Sequence, residues 1–315
     1  MESCEADKWS KIAPNGLLNG YFQLSKARLT ALITVTAVGG FILSPVSIVF
    51  PTLVSCALGT ALLSASANAY NHLLEAPYDA QMKRTQSRLL VVHKFTPLHT
   101  LFFANITALG GFSLLLWKCN LLTAILGILN VLLYAGIYTP LKRHHVGCTW
   151  VGAVVGAIPP VMGYTAATGI IDFPSLVLAA ILFSWQFPHF NALSWNLRGE
   201  YTRAGYRLMC VIDEKLCRAT VLRHSVALFA LCSLAAPLSG LTQTSFAFDS
   251  IPINAYMVYL SFKFYQNADA KTSRALFRFS LLYLSLIMLM MVISNYGTNL
   301  KRPNHESNST NVSGD

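Results

Sequence analysis

Oxygen-bearing side chains recur at intervals of four residues at two places in this chain. Asn71, Glu75 and Asp79 form the first set, and Asn196 and Glu200 form the second. Residues four apart project from the same broad face of an α-helix. Carboxylate oxygens, phosphate oxygens and water are the ligands that Mg²⁺ usually takes in proteins. We therefore predict that these five side chains hold Mg²⁺ and that Asp79 also takes part in catalysis.

Basic and phenolic side chains near the first set suit a phosphorylated ligand. Tyr138 and Lys142 repeat the four-residue spacing, and Arg84 and Arg88 follow Asp79. Two cations four apart on a helix repel each other unless they share an anion. Cations and a phenolic hydroxyl together can bind a diphosphate as it leaves. We predict that Arg84, Tyr138 and Lys142 act in catalysis, and that Arg84, Arg88 and Lys142 bind the substrate.

Prolines fall within both of these elements. Pro77 lies between Glu75 and Asp79, and Pro140 lies just before Lys142. Because proline removes a backbone donor and clashes with the preceding turn, we predict that the first helix breaks just after Glu75. Asp79 would then fold back toward the same site. The second helix either stops at Pro140 or continues to Lys142.

The elements that position these residues are predicted to be membrane helices. Hydrophobic residues make up 54% of the 315 residues and charged residues only 11%, against about 25% charged in a soluble domain. Since a helix of roughly 17–25 apolar residues crosses a bilayer, we predict an all-α polytopic membrane protein with about nine transmembrane helices. The predicted spans are Leu29–Leu43, Val54–Leu74, Leu98–Trp117, Leu121–Tyr138, Thr149–Thr168, Ser175–Trp195, Val221–Leu238, Ile251–Phe264 and Leu276–Ile293. We predict that residues 24–297 form the membrane domain, that 1–23 form a polar segment and that 298–315 form a disordered polar tail.

The net charge of +10 is explained by topology. With nine alternating spans, only Lys118, Lys301 and Arg302 of the 23 basic residues fall on one side of the membrane. Such a skew follows the positive-inside rule, so we predict no nucleic-acid partner. Both oxygen-bearing sets fall on the basic side, where the loops are long and polar.

The chain resembles the UbiA family of intramembrane prenyltransferases, and within it the branch that attaches a farnesyl group to haem. The resemblance extends from Leu24 to about His224. Its most specific stretches are Leu24–Leu32, Asn71–Asp79 with Met82-x-Arg84-Thr85, Tyr138–Arg143, Thr149–Pro160 and Phe183–Arg198. The wording of the last stretch is more similar to the mitochondrial branch than to the bacterial one.

The resemblance implies nine helices around a central cavity and a Mg²⁺-dependent reaction. Farnesyl diphosphate would ionise, and its farnesyl group would join a vinyl carbon of haem B to give haem O, a step in haem A biosynthesis. The implied partners are farnesyl diphosphate, haem B, the lipid bilayer and the haem A synthase that uses the product. The implied location is the mitochondrial inner membrane, with the basic loops facing the matrix.

Further polar residues complete the predicted substrate site. His189 lies in the apolar sixth span, where it either contacts haem or is hydrogen-bonded structurally; the sequence leaves both readings open. The other predicted substrate-binding residues are Asn68, Arg143, Asn191, Arg198 and Arg203. Three positions depart from the family pattern: Glu200 stands for Asp, Leu89 for Pro and Ala204 for Gly.

Two alternatives remain open at this point. The first is prenylation of an aromatic quinone precursor by the same chemistry. The second is a secondary transporter, whose coupling carboxylates would be expected in the middle of the spans rather than at helix ends.

Overall fold

The structure, a computed structural model, describes residues 14–299, and every regular element in that range is a helix. The helices are α1 Pro14–Leu24, α2 Ala27–Ile42, α3 Phe50–Asp79, α4 Pro97–Lys118, α5 Leu121–Leu141, α6 Cys148–Thr168, α7 Phe173–Asn196, α8 Arg198–Arg203, α9 Met209–Ile212, α10 Glu214–Leu238, α11 Thr244–Asp249, α12 Ile251–Gln266 and α13 Ala270–Asn299. Residues 1–13 and 300–315, which include most of the predicted polar segment and tail, lie outside the described range.

Seven of the described helices are long and apolar enough to cross a membrane, namely α3, α4, α5, α6, α7, α10 and α13. The two shortest predicted spans fall in α2 and α12, which have 16 residues each. The all-α, polytopic architecture is therefore confirmed, while the count of nine membrane crossings stays a prediction.

Side-chain caps fix where several helices begin. Asp172 accepts a hydrogen bond from the Ser175 backbone at 3.1 Å, and the Ser175 hydroxyl in turn accepts one from the Asp172 backbone at 3.0 Å. The Tyr164 hydroxyl donates to the second oxygen of Asp172 at 2.8 Å and ties α6 to α7. Thr96 and Asn120 cap α4 and α5 in the same way. Each cap satisfies a backbone donor that the first turn leaves free.

The C-terminal ends of α5 and α7 lie beside long loops at one end of the bundle. The backbone N–H of Arg207, in the segment after α7, donates to the carbonyl oxygen of Lys142 at 2.7 Å. The Ser273 hydroxyl on α13 donates to the Asn196 side chain at 3.0 Å. These contacts place the segment that follows α7 beside the end of α5, and the end of α7 beside α13.

Helices α2 and α6 pack at backbone contact through two glycines. A Cβ added at Gly40 would collide with the carbonyl oxygen of Pro160, and one added at Gly163 would collide with that of Ala37. Small residues that let helix backbones approach closely are typical of membrane helix interfaces. This contact positions α2, which leads into the site described below.

Replacing Gly163 with Ala is expected to destabilise the protein by about 1–3 kcal/mol or more, because the backbone cannot move aside. The matched control is Gly110→Ala on α4, where an added Cβ would meet only Leu62 at 3.9 Å, an ordinary contact. Thermal unfolding of both variants in detergent checks the prediction. Equal melting temperatures for the two would contradict it.

Candidate diphosphate and metal site

The last two turns of α3 carry the first oxygen-bearing set. Asn71, Glu75 and Asp79 are all buried, with at most 5% of each exposed. The prediction that the helix breaks after Glu75 is wrong, because α3 continues through Pro77 to Asp79. Pro77 removes the hydrogen bond to the Leu73 carbonyl oxygen, but the backbone stays helical on both sides of it. The three side chains therefore share one face by helical periodicity alone.

Each of these three side chains is held by a different cation. Lys142 donates to Glu75 at 2.7 Å, and Lys26 donates to Asn71 Oδ1 at 2.6 Å. One nitrogen of Arg88, Nη1, contacts Asp79 directly and lies 3.6 Å from Glu75. The two carboxylates therefore converge on a single point, which Arg88 occupies.

Lys142 reaches this cluster because α5 does not stop at Pro140. A π-helical segment over Leu133–Tyr138 precedes the last turn, and the Lys142 backbone N–H still donates to the Tyr138 carbonyl at 3.2 Å. The ammonium group lies 4.3 Å above the centre of the Tyr138 ring. Burial alone would lower the pKa of Lys142, but the Glu75 carboxylate raises that pKa well above its ordinary value.

The second oxygen-bearing set lies at the same end but does not join the first directly. Glu200 is partly buried and accepts a hydrogen bond from the backbone N–H of Arg84 at 3.3 Å. The exposed side chain of Asn196 is bound instead to Ser273 on α13. Within residues 14–299, no three His, Cys, Asp or Glu side chains are close enough to form a metal site by themselves. That Asn196 and Glu200 share a metal ion with α3 stays a prediction.

The first set nevertheless fits a divalent cation. Asp79 Oδ1 is buried without a hydrogen-bond partner among the described residues, and so is Asn68 Oδ1 about three turns earlier on α3. A buried carboxylate oxygen without a donor is costly unless a cation or another donor reaches it. Oxygen ligands from one or two carboxylates are also what Mg²⁺ prefers. The α3 side chains and the metal are therefore chemically matched.

Two residues of this cluster were missed by the sequence analysis. Lys26, between α1 and α2, has a left-handed backbone (φ 46°, ψ 55°), which costs a non-glycine residue about 1–2 kcal/mol. Burial and then the charge of Arg88 lower its pKa to about 7. His72 is 4% exposed, and neither ring nitrogen has a partner among the described residues. Lys26 lies in a stretch that carries the family resemblance, but no spacing rule singles it out.

Three of the other predicted binding residues have exposed side chains. The exposed Arg143 donates to the Tyr78 hydroxyl at 2.6 Å and stacks on its ring. The side chain of Arg84 is exposed, unlike that of Arg88. Arg203 is also exposed and bonds to the Gly199 carbonyl oxygen at 3.3 Å. Of the two predicted arginines Arg84 and Arg88, only Arg88 therefore brings its side chain to the α3 carboxylates.

The predicted binding residues His189, Asn191 and Arg198, on and just after α7, have other surroundings. His189 stacks on Trp185, with ring centres 4.5 Å apart, and its Nδ1 lies 2.9 Å from the Ser280 hydroxyl. Arg198 pairs with Glu214 at 2.7 Å. Asn191 is buried with its amide nitrogen unpartnered among the described residues. The His189 contacts support the structural alternative, and a haem contact at its other nitrogen stays a prediction.

An apolar cavity of about 80 Å³ lies between α2, α3, α5 and α6, next to the buried cluster. Asn68 and Ser64 line it along α3, and Thr60 lines it two turns below Asn68. At a rise of about 1.5 Å per residue, this wall extends about 12 Å into the bundle. The remaining lining residues are Leu29, Ile33, Leu63, Ala67, Gly127, Asn130, Val131, Tyr134, Val155, Gly156, Pro159 and Met162.

Two departures from the family pattern are accommodated by packing. Leu89 is 5% exposed and packs against Leu24 and Phe95, so the loop after Arg88 is anchored rather than loosened. Ala204 is buried with φ −78°, an ordinary backbone conformation that does not require glycine.

The sequence model of the UbiA prenyltransferase family matches residues 31–287. The chain therefore belongs to this family. It is 46% identical over 293 residues to the mitochondrial protoheme IX farnesyltransferase of Homo sapiens, covering 92% of this chain and 66% of that protein. It is 38% identical to the Saccharomyces cerevisiae protein of the same name, covering 88% and 64%. The chain thus spans less than two thirds of the length of these relatives.

Solved structures share the fold at low sequence identity. The structure of a UbiA homolog from Archaeoglobus fulgidus bound to DMAPP and Mg²⁺ has a TM-score of 0.63 and 13% identity, covering 90% of this chain and 99% of that one. The likeness confirms the predicted fold class.

Proposed function

We propose that this chain transfers the farnesyl group of farnesyl diphosphate to a vinyl group of haem B, giving haem O. The observation that carries the proposal is a buried cluster of cations and oxygen ligands directly next to an apolar cavity. Such an arrangement suits a diphosphate attached to a hydrocarbon chain. The choice of haem as the acceptor rests on the relatives' printed name, protoheme IX farnesyltransferase.

The residues of the cluster have distinct roles in this proposal. Asn71, Glu75 and Asp79 would hold Mg²⁺, together with Asn196 and Glu200. When bound, the metal supplies positive charge to the leaving diphosphate. Arg88 and Lys142 take up further negative charge as the allylic C–O bond breaks.

The surroundings protect the reacting carbon chain. Tyr138 holds the Lys142 ammonium over its ring and adds a hydroxyl donor. The apolar cavity keeps water from the allylic cation until the vinyl π electrons form the new C–C bond. Water then adds to the cation formed beside the porphyrin, and one proton leaves, which gives the hydroxyethylfarnesyl group.

The same proposal includes a location and a neighbour in the reaction sequence. The proposed location is the mitochondrial inner membrane, with the basic loops toward the matrix. The word mitochondrial in the relatives' names and the predicted placement of the cations support it. The product would pass to haem A synthase.

The two rivals differ in what they require of the site. A quinone-precursor prenyltransferase would use the same diphosphate cluster with an aromatic acceptor. A secondary transporter would need carboxylates in mid-span, whereas Asp79 ends α3 and Glu75 lies one turn before it.

Expression in a strain that lacks this step is expected to restore hydroxyethylfarnesyl haem, detected by haem extraction and chromatography. In membranes from that strain, farnesyl diphosphate and haem B should release diphosphate only when Mg²⁺ is present. Prenylation of 4-hydroxybenzoate instead of haem would favour the first rival. Solute uptake by proteoliposomes without diphosphate release would favour the second.

A further inference from the structure

Lys26 occupies an unusual position at the junction between α1 and α2. Its backbone is left-handed, and its carbonyl oxygen accepts hydrogen bonds from Leu29 and Thr30 at 2.8 and 3.0 Å, which begin α2. The partly buried ammonium group reaches across to α3 and donates to Asn71 Oδ1 at 2.6 Å. A long lysine side chain is thus fixed at both ends.

The partner of Lys26 is Asn71, the one neutral side chain in the first oxygen-bearing set. Lys142 and Arg88 pair with the carboxylates of Glu75 and Asp79, but no carboxylate within residues 14–299 pairs with Lys26. The cluster therefore contains three cations and two carboxylates, leaving one surplus positive charge. Lys26 carries that surplus in its protonated form.

A partly buried surplus charge favours an anion of matching charge. A diphosphate ester carries up to three negative charges, and one Mg²⁺ neutralises two of them. The remaining negative charge balances the surplus of the cluster. Lys26 also holds the oxygen of Asn71 that a metal ion would need, so the metal and the ammonium group compete for this atom.

We propose that Lys26 is a diphosphate-binding residue that occupies the metal-facing oxygen of Asn71 until substrate arrives. When the metal diphosphate binds, the ammonium group leaves Asn71 and donates to a diphosphate oxygen, while Asn71 turns its oxygen to the metal. The inference rests on the proposed diphosphate chemistry and assigns to Lys26 two linked roles in it. Removing Lys26 should therefore strengthen the binding of metal alone and weaken the binding of diphosphate.

The test compares the wild-type chain with Lys26→Met in detergent. Binding of Mn²⁺ alone is followed by electron paramagnetic resonance, and binding of inorganic pyrophosphate at saturating Mg²⁺ by calorimetry. We expect pyrophosphate to bind Lys26→Met roughly ten-fold or more weakly, as the loss of a charge-assisted hydrogen bond predicts. We expect Mn²⁺ alone to bind the same variant more tightly, because its competitor for Asn71 is gone.

The control is Arg28→Met, which removes the same charge from an exposed position two residues away and should change neither affinity. Lys26→Arg, which keeps a cation, should retain most pyrophosphate affinity and shows whether position 26 tolerates change. Unaltered pyrophosphate binding by Lys26→Met, or weaker Mn²⁺ binding, would overturn the inference alone. Failure of the wild-type chain to bind pyrophosphate with Mg²⁺ would instead count against the proposed function.

Discussion

Replacing Asp79 with Asn is expected to lower haem O formation by a factor on the order of a thousand. Asp79 lies at the end of α3, with one carboxylate oxygen against Arg88 and the other buried without a partner among the described residues. Asn keeps the size of the side chain but removes the charge that attracts a metal ion. It also places an N–H donor at one of the two positions where an oxygen is needed.

The measurement is the amount of haem O formed per unit of inserted protein. The matched control is Asp249→Asn, which makes the same chemical change at an exposed position at the end of α11. The control should retain full activity, and both variants should reach the membrane in equal amounts. Normal turnover by Asp79→Asn would show that this carboxylate does not hold the metal.

The part of the site that depends on local spacing was predictable from the sequence. Asn71, Glu75 and Asp79 share a face because helical periodicity brings together residues four apart. The same rule brings Lys142 to the face of Tyr138, because α5 continues past Pro140. The error over Pro77 shows the limit of a propensity argument, because a helix can continue through a proline at the cost of one backbone hydrogen bond.

The part of the site that depends on contacts between residues far apart in the sequence was not predictable. Lys26 reaches Asn71 across 45 residues of sequence, and no periodicity relates the two. Asn196 has the expected spacing from Glu200, yet its side chain is turned toward Ser273 on α13. Burial of His72 was equally hidden, since a single histidine in an apolar run has no characteristic pattern. Such features follow from how the helices pack against one another. That packing depends on the whole sequence and not on a local pattern.

The second large effect is expected at the Lys142–Glu75 pair. Both side chains are mostly buried, with 15% and 7% exposed, and their charged atoms lie 2.7 Å apart. Lys142→Met should abolish most haem O formation and destabilise the protein by about 3–5 kcal/mol, because Glu75 would keep a buried charge without its nearest cation. Arg88, at 3.6 Å from Glu75, compensates only in part since it also serves Asp79.

The double variant Lys142→Met with Glu75→Gln separates stability from function. It removes both charges, so we expect most of the lost stability to return while haem O formation stays absent, because the diphosphate still lacks its cation. The control is the surface pair Arg198–Glu214, which is also 2.7 Å apart but has side chains 49% and 53% exposed. Its coupling should be below about 1 kcal/mol. Chemical unfolding of the wild-type chain and of the single and double variants in detergent measures the coupling energy of each pair. A coupling energy at Lys142–Glu75 no larger than that of the surface pair would contradict the prediction. Recovery of stability without recovery of activity would mean that the buried cation is kept for the diphosphate, since an uncharged pair serves the fold almost as well.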